Sequence, residues 1–329
     1  MTAQAPQVSI FHQQAATASE SVEYVVTLPT FRRPDHLVKT LKTVISQDPG
    51  ASVAIIVMEN DADGLAGAHA AREFFLLHKI NALVVIAHDR GNCHAYNAGW
   101  TAAMATYPQM KALAVIDDDE IASPSWLENL VLIQKRTGAD IVGGPQLPDF
   151  EDRGRAELKR HPVFMPHYDT SGPVPILYSS GNVLITAPVL AKMPVPYLDP
   201  VFNFTGGGDS DFYRRCRAEG FCFAWANEAW VTETVPARRT EQSWIRARSL
   251  RTGALSAQLA HRARPGLAGR FRTILHSLLL LAASPFRGIR LWRKTGVAST
   301  ALFHFYVAVG RLMAEFGVIN EQYRNPEKN

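Results

Sequence analysis

Short apolar runs and amphipathic stretches alternate through the first 140 residues. Tyr24–Leu28, Val53–Met58, Leu83–Ile86 and Ala112–Ile116 are rich in β-branched residues and read as buried parallel strands. Pro34 opens a stretch that places Leu37, Leu41, Val44 and Ile45 on one helical face. Leu65–Leu77, Asn92–Tyr107 and Pro124–Thr137 predict three further helices. The βαβαβαβ order predicts an α/β fold, a doubly wound sheet flanked by helices. Ligands of such sheets bind beyond the carboxyl ends of the strands. Polar residues gather there: Pro29-Thr30-Phe31-Arg32-Arg33, Glu59-Asn60-Asp61 and Asp117-Asp118-Asp119-Glu120.

The pattern then loosens. Gly143–Pro175 is rich in proline and charge and predicts a long loop over the sheet. Gly181–Thr186 and Phe221–Ala226 predict strands, and Asp209–Glu219 a helix closed by Gly220. Residues 1–20 lack the basic and apolar regions of a secretory leader and predict a disordered tail.

Composition narrows the class. Of 329 residues, 47% are hydrophobic and 19% charged, which excludes global disorder. Three cysteines without zinc-ligand spacing exclude a disulfide framework and fit a reducing cytosol. The net charge of +4 hides a split. Pro236 onward holds 16 Lys/Arg against 4 Asp/Glu, leaving 18 against 26 of the totals of 34 and 30. An acidic body with a basic end implies an anionic partner. The end also carries two uncharged apolar stretches, Thr273–Phe286 and Thr295–Gly310, each short of the roughly 20 residues a span needs. Phe271, Ile274, Leu275, Leu278 and Leu281 share one helical face, Leu302–Val309 supply another, and Arg287, Arg290, Arg293 and Lys294 sit beside Trp292. A membrane surface fits this better than nucleic acid.

Three clusters could carry chemistry. Four adjacent carboxylates at a strand end repel one another unless a cation or protons neutralise them. If the strand continues, Asp117 and Asp119 point to one side and could share Mg²⁺ or Mn²⁺; a solvated acidic turn capped by Asp or Ser123 is the alternative. Phe204-Thr205-Gly206-Gly207-Gly208-Asp209-Ser210-Asp211-Phe212 places Asp209 at a helix start, as a general base or an N-cap. Trp244, Arg248 and Arg251 share a helical face, able to clamp a diphosphate and a sugar ring or simply to form a solvated basic face.

Together and in this order, these segments resemble a family 2 glycosyltransferase of the nucleotide-sugar-binding GT-A fold. Val25-Val26-Thr27-Leu28-Pro29-Thr30-Phe31-Arg32-Arg33-Pro34 is similar to that family's first strand and nucleotide loop. Val57-Met58-Glu59-Asn60-Asp61 resembles its second strand end, and Arg90-Gly91-Asn92-Cys93-His94-Ala95-Tyr96-Asn97 a later nucleotide-contacting segment. Asp117-Asp118-Asp119 resembles its metal-binding D-x-D, Gly208-Asp209-Ser210-Asp211-Phe212 its catalytic-base segment, and the Trp/Arg helix loosely its Q/R-x-x-R-W region. The likeness spans about Val22 to Gly253 and is greatest to bacterial members that build exopolysaccharides such as succinoglycan. Glu59 and Asn60 replace the usual Asp pair, Gly208 stands where Glu often does, and Tyr96 where Arg is frequent.

The resemblance implies inverting transfer from a nucleoside-diphosphate sugar, UDP favoured, to a saccharide hydroxyl, with a polyprenyl-linked acceptor expected. It implies Asp209 as base, and Mg²⁺ or Mn²⁺ on Asp117 and Asp119. It implies nucleotide contacts from Pro29, Thr30, Phe31, Arg33, Glu59, Asn60, Asp61, Arg90, Asn97, Asp117, Asp118, Arg248 and Arg251. The expected organisation is a tail over 1–20, a transferase domain over 21–253 and a basic helical region over 254–329 resting on the cytoplasmic face of the inner membrane. Two rivals are a sugar-nucleotide nucleotidyltransferase, which needs a glycine-rich loop absent from Leu28–Pro34, and a non-catalytic binding protein, which needs none of Asp117, Asp119 and Asp209.

Overall fold

The structure, a computed structural model, describes residues 7–318. Its strands are β1 (Val8–Gln14), β2 (Tyr24–Thr30), β3 (Val53–Glu59), β4 (Asn81–Ala87), β5 (Ala112–Ile116), β6 (Glu120–Ala122), β7 (Ile141–Gly143), β8 (Gln146–Phe150), β9 (Gly172–Val174), β10 (Asn182–Thr186), β11 (Phe223–Trp225) and β12 (Val231–Val235). Its helices are α1 (Pro34–Val44), α2 (Ala66–Leu76), α3 (Asn92–Thr106), α4 (Trp126–Thr137), α5 (Ala187–Lys192), α6 (Gly208–Ala218), α7 (Gln242–Ala263), α8 (Leu267–Thr295) and α9 (Phe303–Glu315). The chain divides into two compact units. One comprises residues up to 146 with 167–203 and 208–233, the other 147–166, 204–207 and everything from 234.

The first unit is a mixed α/β sheet with strand order β1-β4-β3-β2-β5-β10-β7-β11-β9. Strands β4, β3, β2 and β5 run parallel, with Val26 opposite Ile55 and Ala114. Both of their faces are covered, so their sequences are continuously apolar, and all seven residues of β4 are buried. Strand β10 joins β5 antiparallel, Asn182 opposite Ile116. Trp126, Leu127 and Leu130 of α4 and Leu37 and Leu41 of α1 fill the core from outside the sheet. All the strands and helices expected from periodicity are present, within a few residues at each end.

Three expectations are corrected. The segment expected as a disordered tail contains β1, an edge strand antiparallel to β4 with Ile10 opposite Val85. Its Phe11 packs edge-on against His69, 5.0 Å between ring centres, and Gln14 Nε2 donates to the His78 carbonyl at 2.6 Å. An apolar signal is weak there because only one side of this edge strand meets the core, the rest being held by backbone pairing. Residues 1–6 of the expected tail lie outside the described residues. The stretch expected as a long loop is broken up by β8, β9 and a 3-10 turn over Arg153–Arg160. No boundary falls at 253, because α7 runs through it. Gly253 is mid-helix, where a Cβ would strike the Val307 carbonyl of α9.

The second unit joins α7, α8 and α9 with a small cluster of Phe150, Leu158, Val235, Ile245 and Val297. The apolar stretch after Thr273 is one helix of 29 residues, long and apolar enough to cross a membrane. His161 is fully buried between Phe164 and Phe303, and its Nδ1 accepts from the Val163 N–H at 3.2 Å. It must therefore be neutral, and burial lowers its pKa to about 4. The unfolded chain protonates this ring near pH 6.5 while the fold resists, so its stability contribution is present above pH 6.5 and declines as pH falls toward 4. Thermal denaturation should show about 2 kcal/mol lost between pH 7.5 and 5 from this group, a loss that His161→Phe removes.

Candidate active site

Strand β5 ends at Ile116, and the chain turns at once, the Glu120 N–H reaching the Asp117 carbonyl at 3.2 Å. Asp117 and Asp119 are thus brought together by a turn and not by strand alternation. Burial, reinforced by the charge of Asp119, raises Asp117 and Asp118 each to about 7, and burial beside Asp117 holds Glu120 well above the usual carboxylate range. Each acid has its own partner. Tyr96 Oη donates to Asp117 Oδ1 at 2.5 Å, and Thr30 Oγ1 donates to Asp118 Oδ2 at 2.8 Å. Arg33 Nη1 lies 2.6 Å from Asp119 Oδ2 and 3.5 Å from Asp118 Oδ1. Glu120 accepts from the Asp117 N–H at 2.9 Å and from Gln146 Nε2. Thr40 Oγ1 donates to the carbonyls of both Asp118 and Glu120, at 3.0 and 2.7 Å. Gly181 faces this group; a Cβ there would come within 2.8 Å of Asp117 Oδ2.

The loop after β2 forms a neighbouring wall. Pro29 is half-buried opposite Met58, and Thr30 is buried. The guanidinium carbons of Arg32 and Arg90 lie 4.9 and 5.1 Å from the centre of the Phe31 ring. Arg32 adopts a left-handed backbone (φ 57°), and its Nε meets Asp61 Oδ2 at 2.7 Å. Three expected nucleotide contacts are instead engaged with backbone. Glu59, raised by burial, accepts from the N–H groups of Asp61 and Ala68 at 2.9 Å, anchoring the start of α2. Asn60 donates to the Ala87 and Asp89 carbonyls and accepts from the Gly91 N–H at 2.8 Å. Asn97 closes a two-way bridge on Leu198, at 2.7 and 2.9 Å. These three brace the backbone around this wall; Asp61, equally buried, pairs with Arg32.

Asp209 and Asp211 stand at the start of α6 and differ in environment. Asp211 is buried and accepts from Arg215 Nε at 2.9 Å. Asp209 is half-buried, and its Oδ1 accepts from the Ser210 N–H at 2.6 Å. Close packing of Gly208 on Cys93 draws α6 against α3, the helix that carries Tyr96. The Tyr213 phenol is pushed upward by burial, with Asp209 and Asp117 both adding to the shift. Arg248 and Arg251 lie on α7 in the second unit, half-buried and buried. Trp244, expected to clamp a ligand with them, instead stacks on Phe164, with ring centres 5.9 Å apart.

Sequence reading missed Thr40 and Gln146 altogether and gave Arg32, though it lies in the strand-end segment, no role of its own. Tyr96 carried a signal, a phenol in place of a frequent Arg. Among the described residues no three His, Cys, Asp or Glu side chains form a ready-made metal cage. Two carboxylates of hard oxygen ligands do fit Mg²⁺ or Mn²⁺ held jointly with a substrate diphosphate, because such ions keep several non-protein ligands.

Residues 25–187 match the family described as Glycosyl transferase family 2. The chain is 26% identical over 255 residues to the succinoglycan biosynthesis protein ExoM of Rhizobium meliloti (strain 1021), covering 73% of this chain and 76% of that one. Among solved structures, the mannosyltransferase PcManGT of Pyrobaculum calidifontis, in complex with GDP-Man and Mn²⁺, superposes with a TM-score of 0.57. The two share 16% identity over 92% of this chain and 90% of that one. S. aureus TarS 1-349 in complex with UDP gives 0.51 at 11% identity, over 90% and 92%. The fold is GT-A-like, and the chain belongs to glycosyl transferase family 2.

Tyr96→Phe removes one donor from Asp117 and leaves the ring's packing against Trp100. A hydrogen bond to a charged group contributes about 1.5–3 kcal/mol. The variant should keep its melting temperature to within a few degrees. In a titration followed by Mn²⁺ electron paramagnetic resonance with UDP present, it should need at least about tenfold more Mn²⁺.

Proposed function

We propose that this enzyme transfers a sugar with inversion, from a nucleoside-diphosphate donor with UDP favoured, to a hydroxyl of a polyprenyl-linked saccharide at the cytoplasmic face of the inner membrane. The observation that carries the reading is the contrast at α6. Asp211 is buried on Arg215, while Asp209 is only half-buried at the same helix start. Asp209 takes the proton of the acceptor hydroxyl as its oxygen bonds to the anomeric carbon. The bond from that carbon to the diphosphate breaks in the same step, and its electron pair leaves on the diphosphate. Arg33, beside Asp119, and Arg90, beside Phe31, lie where they can receive the nucleotide. Mg²⁺ or Mn²⁺ on Asp117 and Asp119, when bound, supplies positive charge to the leaving diphosphate.

Support for the donor comes from the GDP-Man and UDP complexes of the two structural relatives, and for the metal from the Mn²⁺ bound by one of them. Support for a saccharide acceptor comes from the curated relative's part in succinoglycan biosynthesis. The lipid-linked acceptor and the membrane surface are supported by the long apolar α8, and no feature of the site calls for nucleic acid.

Asp209→Asn tests the base. Asn caps a helix about as well as Asp, so folding and UDP binding should hold. Transfer should fall by about 10²–10⁴-fold. Near wild-type transfer by Asp209→Asn alongside loss in Asp211→Asn would reassign the role. Asp119→Ala, or excess chelator, should abolish transfer in a folded protein, and full activity in chelator would remove the metal from the account.

A further inference from the structure

Helix α8 is built the reverse of a water-facing helix. It buries Thr273, Ser277, Ser284, Gly288 and Thr295, all small. It exposes Phe271, Leu275, Leu278, Leu279, Phe286 and Ile289, Phe286 to 80%. With about 100° per residue, these six fall within an arc of about 100°, which Leu267 and Trp292 extend to about 140°. Arg272, Arg287, Arg290 and Lys294 are exposed along one flank of that arc.

The inward face follows the rules of helices packed without water. Small residues let backbones approach, as where a Cβ on Gly288 would strike the Ala301 carbonyl, and one on Gly310 of α9 the Leu250 carbonyl of α7. Buried hydroxyls are satisfied on their own helix: Thr273 on Gly269 at 3.0 Å, Ser277 on Thr273 at 2.7 Å and Thr295 on Leu291 at 3.0 Å. Pro285 cannot donate to the Leu281 carbonyl, and Ser284 Oγ does so instead at 2.8 Å. Arg311 of α9 is buried, bonded to Ser277 of α8 at 3.0 Å and Ser256 of α7 at 2.5 Å.

From these observations we infer that α8 lies in the plane of an anionic leaflet, its apolar arc among the upper acyl chains and its basic flank on lipid phosphates. The inference deepens the membrane reading above and rests on it. The spacing of its charges, and not its overall length, decides against crossing: Arg272 and Arg287 are about 22 Å apart along the axis, less than the hydrocarbon thickness of about 30 Å. A centred span would draw at least one guanidinium into the core. Lying flat, the helix keeps the four flank residues at headgroup depth, while Arg293, on the arc at the helix's last turn, extends its long stem back to the headgroups. Charge complementarity selects the leaflet: four arginines and lysines follow the arc, with no acidic residue anywhere on α8.

The full chain would be pelleted with phosphatidylcholine vesicles with and without 30 mol% phosphatidylglycerol. Nitroxide labels on Cys222→Ser variants bearing Leu275→Cys, Leu279→Cys or Ile289→Cys would report depth. The expected result is binding to the anionic vesicles alone, weakened at least a hundredfold when the four flank residues become Gln. All three labels should lie at one shallow depth. Leu278→Ser with Leu279→Ser should lower binding while leaving hydrolysis of the nucleotide-sugar donor unchanged. A Leu279 label near the midplane with the Ile289 label shallow overturns the in-plane placement while leaving membrane attachment standing. Failure to pellet with either vesicle, or self-association through α8 in solution, overturns the membrane reading itself.

Discussion

Four carboxylates in sequence, two of them buried and two half-buried at the end of a central strand, are the constraint around which the first unit is arranged. Left alone, such a group would unfold the strand end or fill with protons. The surrounding elements each bring one neutralising contact: Thr30 from β2, Arg33 at the head of α1, Tyr96 from α3 and Gln146 from β8. The balance is incomplete, since Asp117 and Asp118 still hold protons up to about pH 7. A group that the fold supports but does not fully compensate suits the proposed role, in which a cation arrives with the phosphate ligands of the donor.

The same economy separates supports from ligands around the nucleotide wall. Glu59, Asn60 and Asn97 have the chemistry to read a nucleotide, yet every described polar contact they make is to backbone. Glu59 and Asn60 tie strand ends to helix starts, and Asn97 ties α3 to the loop at Leu198, bracing the wall that carries Phe31, Arg32 and Arg90. Asp211 supports Asp209 in the same way, its bond to Arg215 fixing the first turn of α6.

Much of this was legible in the sequence because burial on both faces leaves continuous apolar runs. Strands β2 to β5 and helices α1 to α4 could be read from periodicity, and Asp117, Asp119 and Asp209 from their place after strand or glycine. Edge strand β1 was not, because its outer face is open to solvent and its pairing is made by backbone. Residue type could not separate Glu59, which anchors α2, from Asp61, which pairs with Arg32, since the distinction lies in which groups come near. Nor could it show that α8 turns its small residues inward, since an apolar helix looks alike in a core and in a lipid surface until its neighbours are placed.

The central claim is that the carboxylate turn becomes a cation site only when a nucleoside diphosphate completes it. Calorimetry of UDP binding at pH 8, with and without Mn²⁺, tests it most directly. The account predicts weak binding of either alone and at least about tenfold tighter UDP binding with Mn²⁺, a coupling of about 1.4 kcal/mol or more. UDP affinity that is the same in Mn²⁺ and in chelator would contradict it.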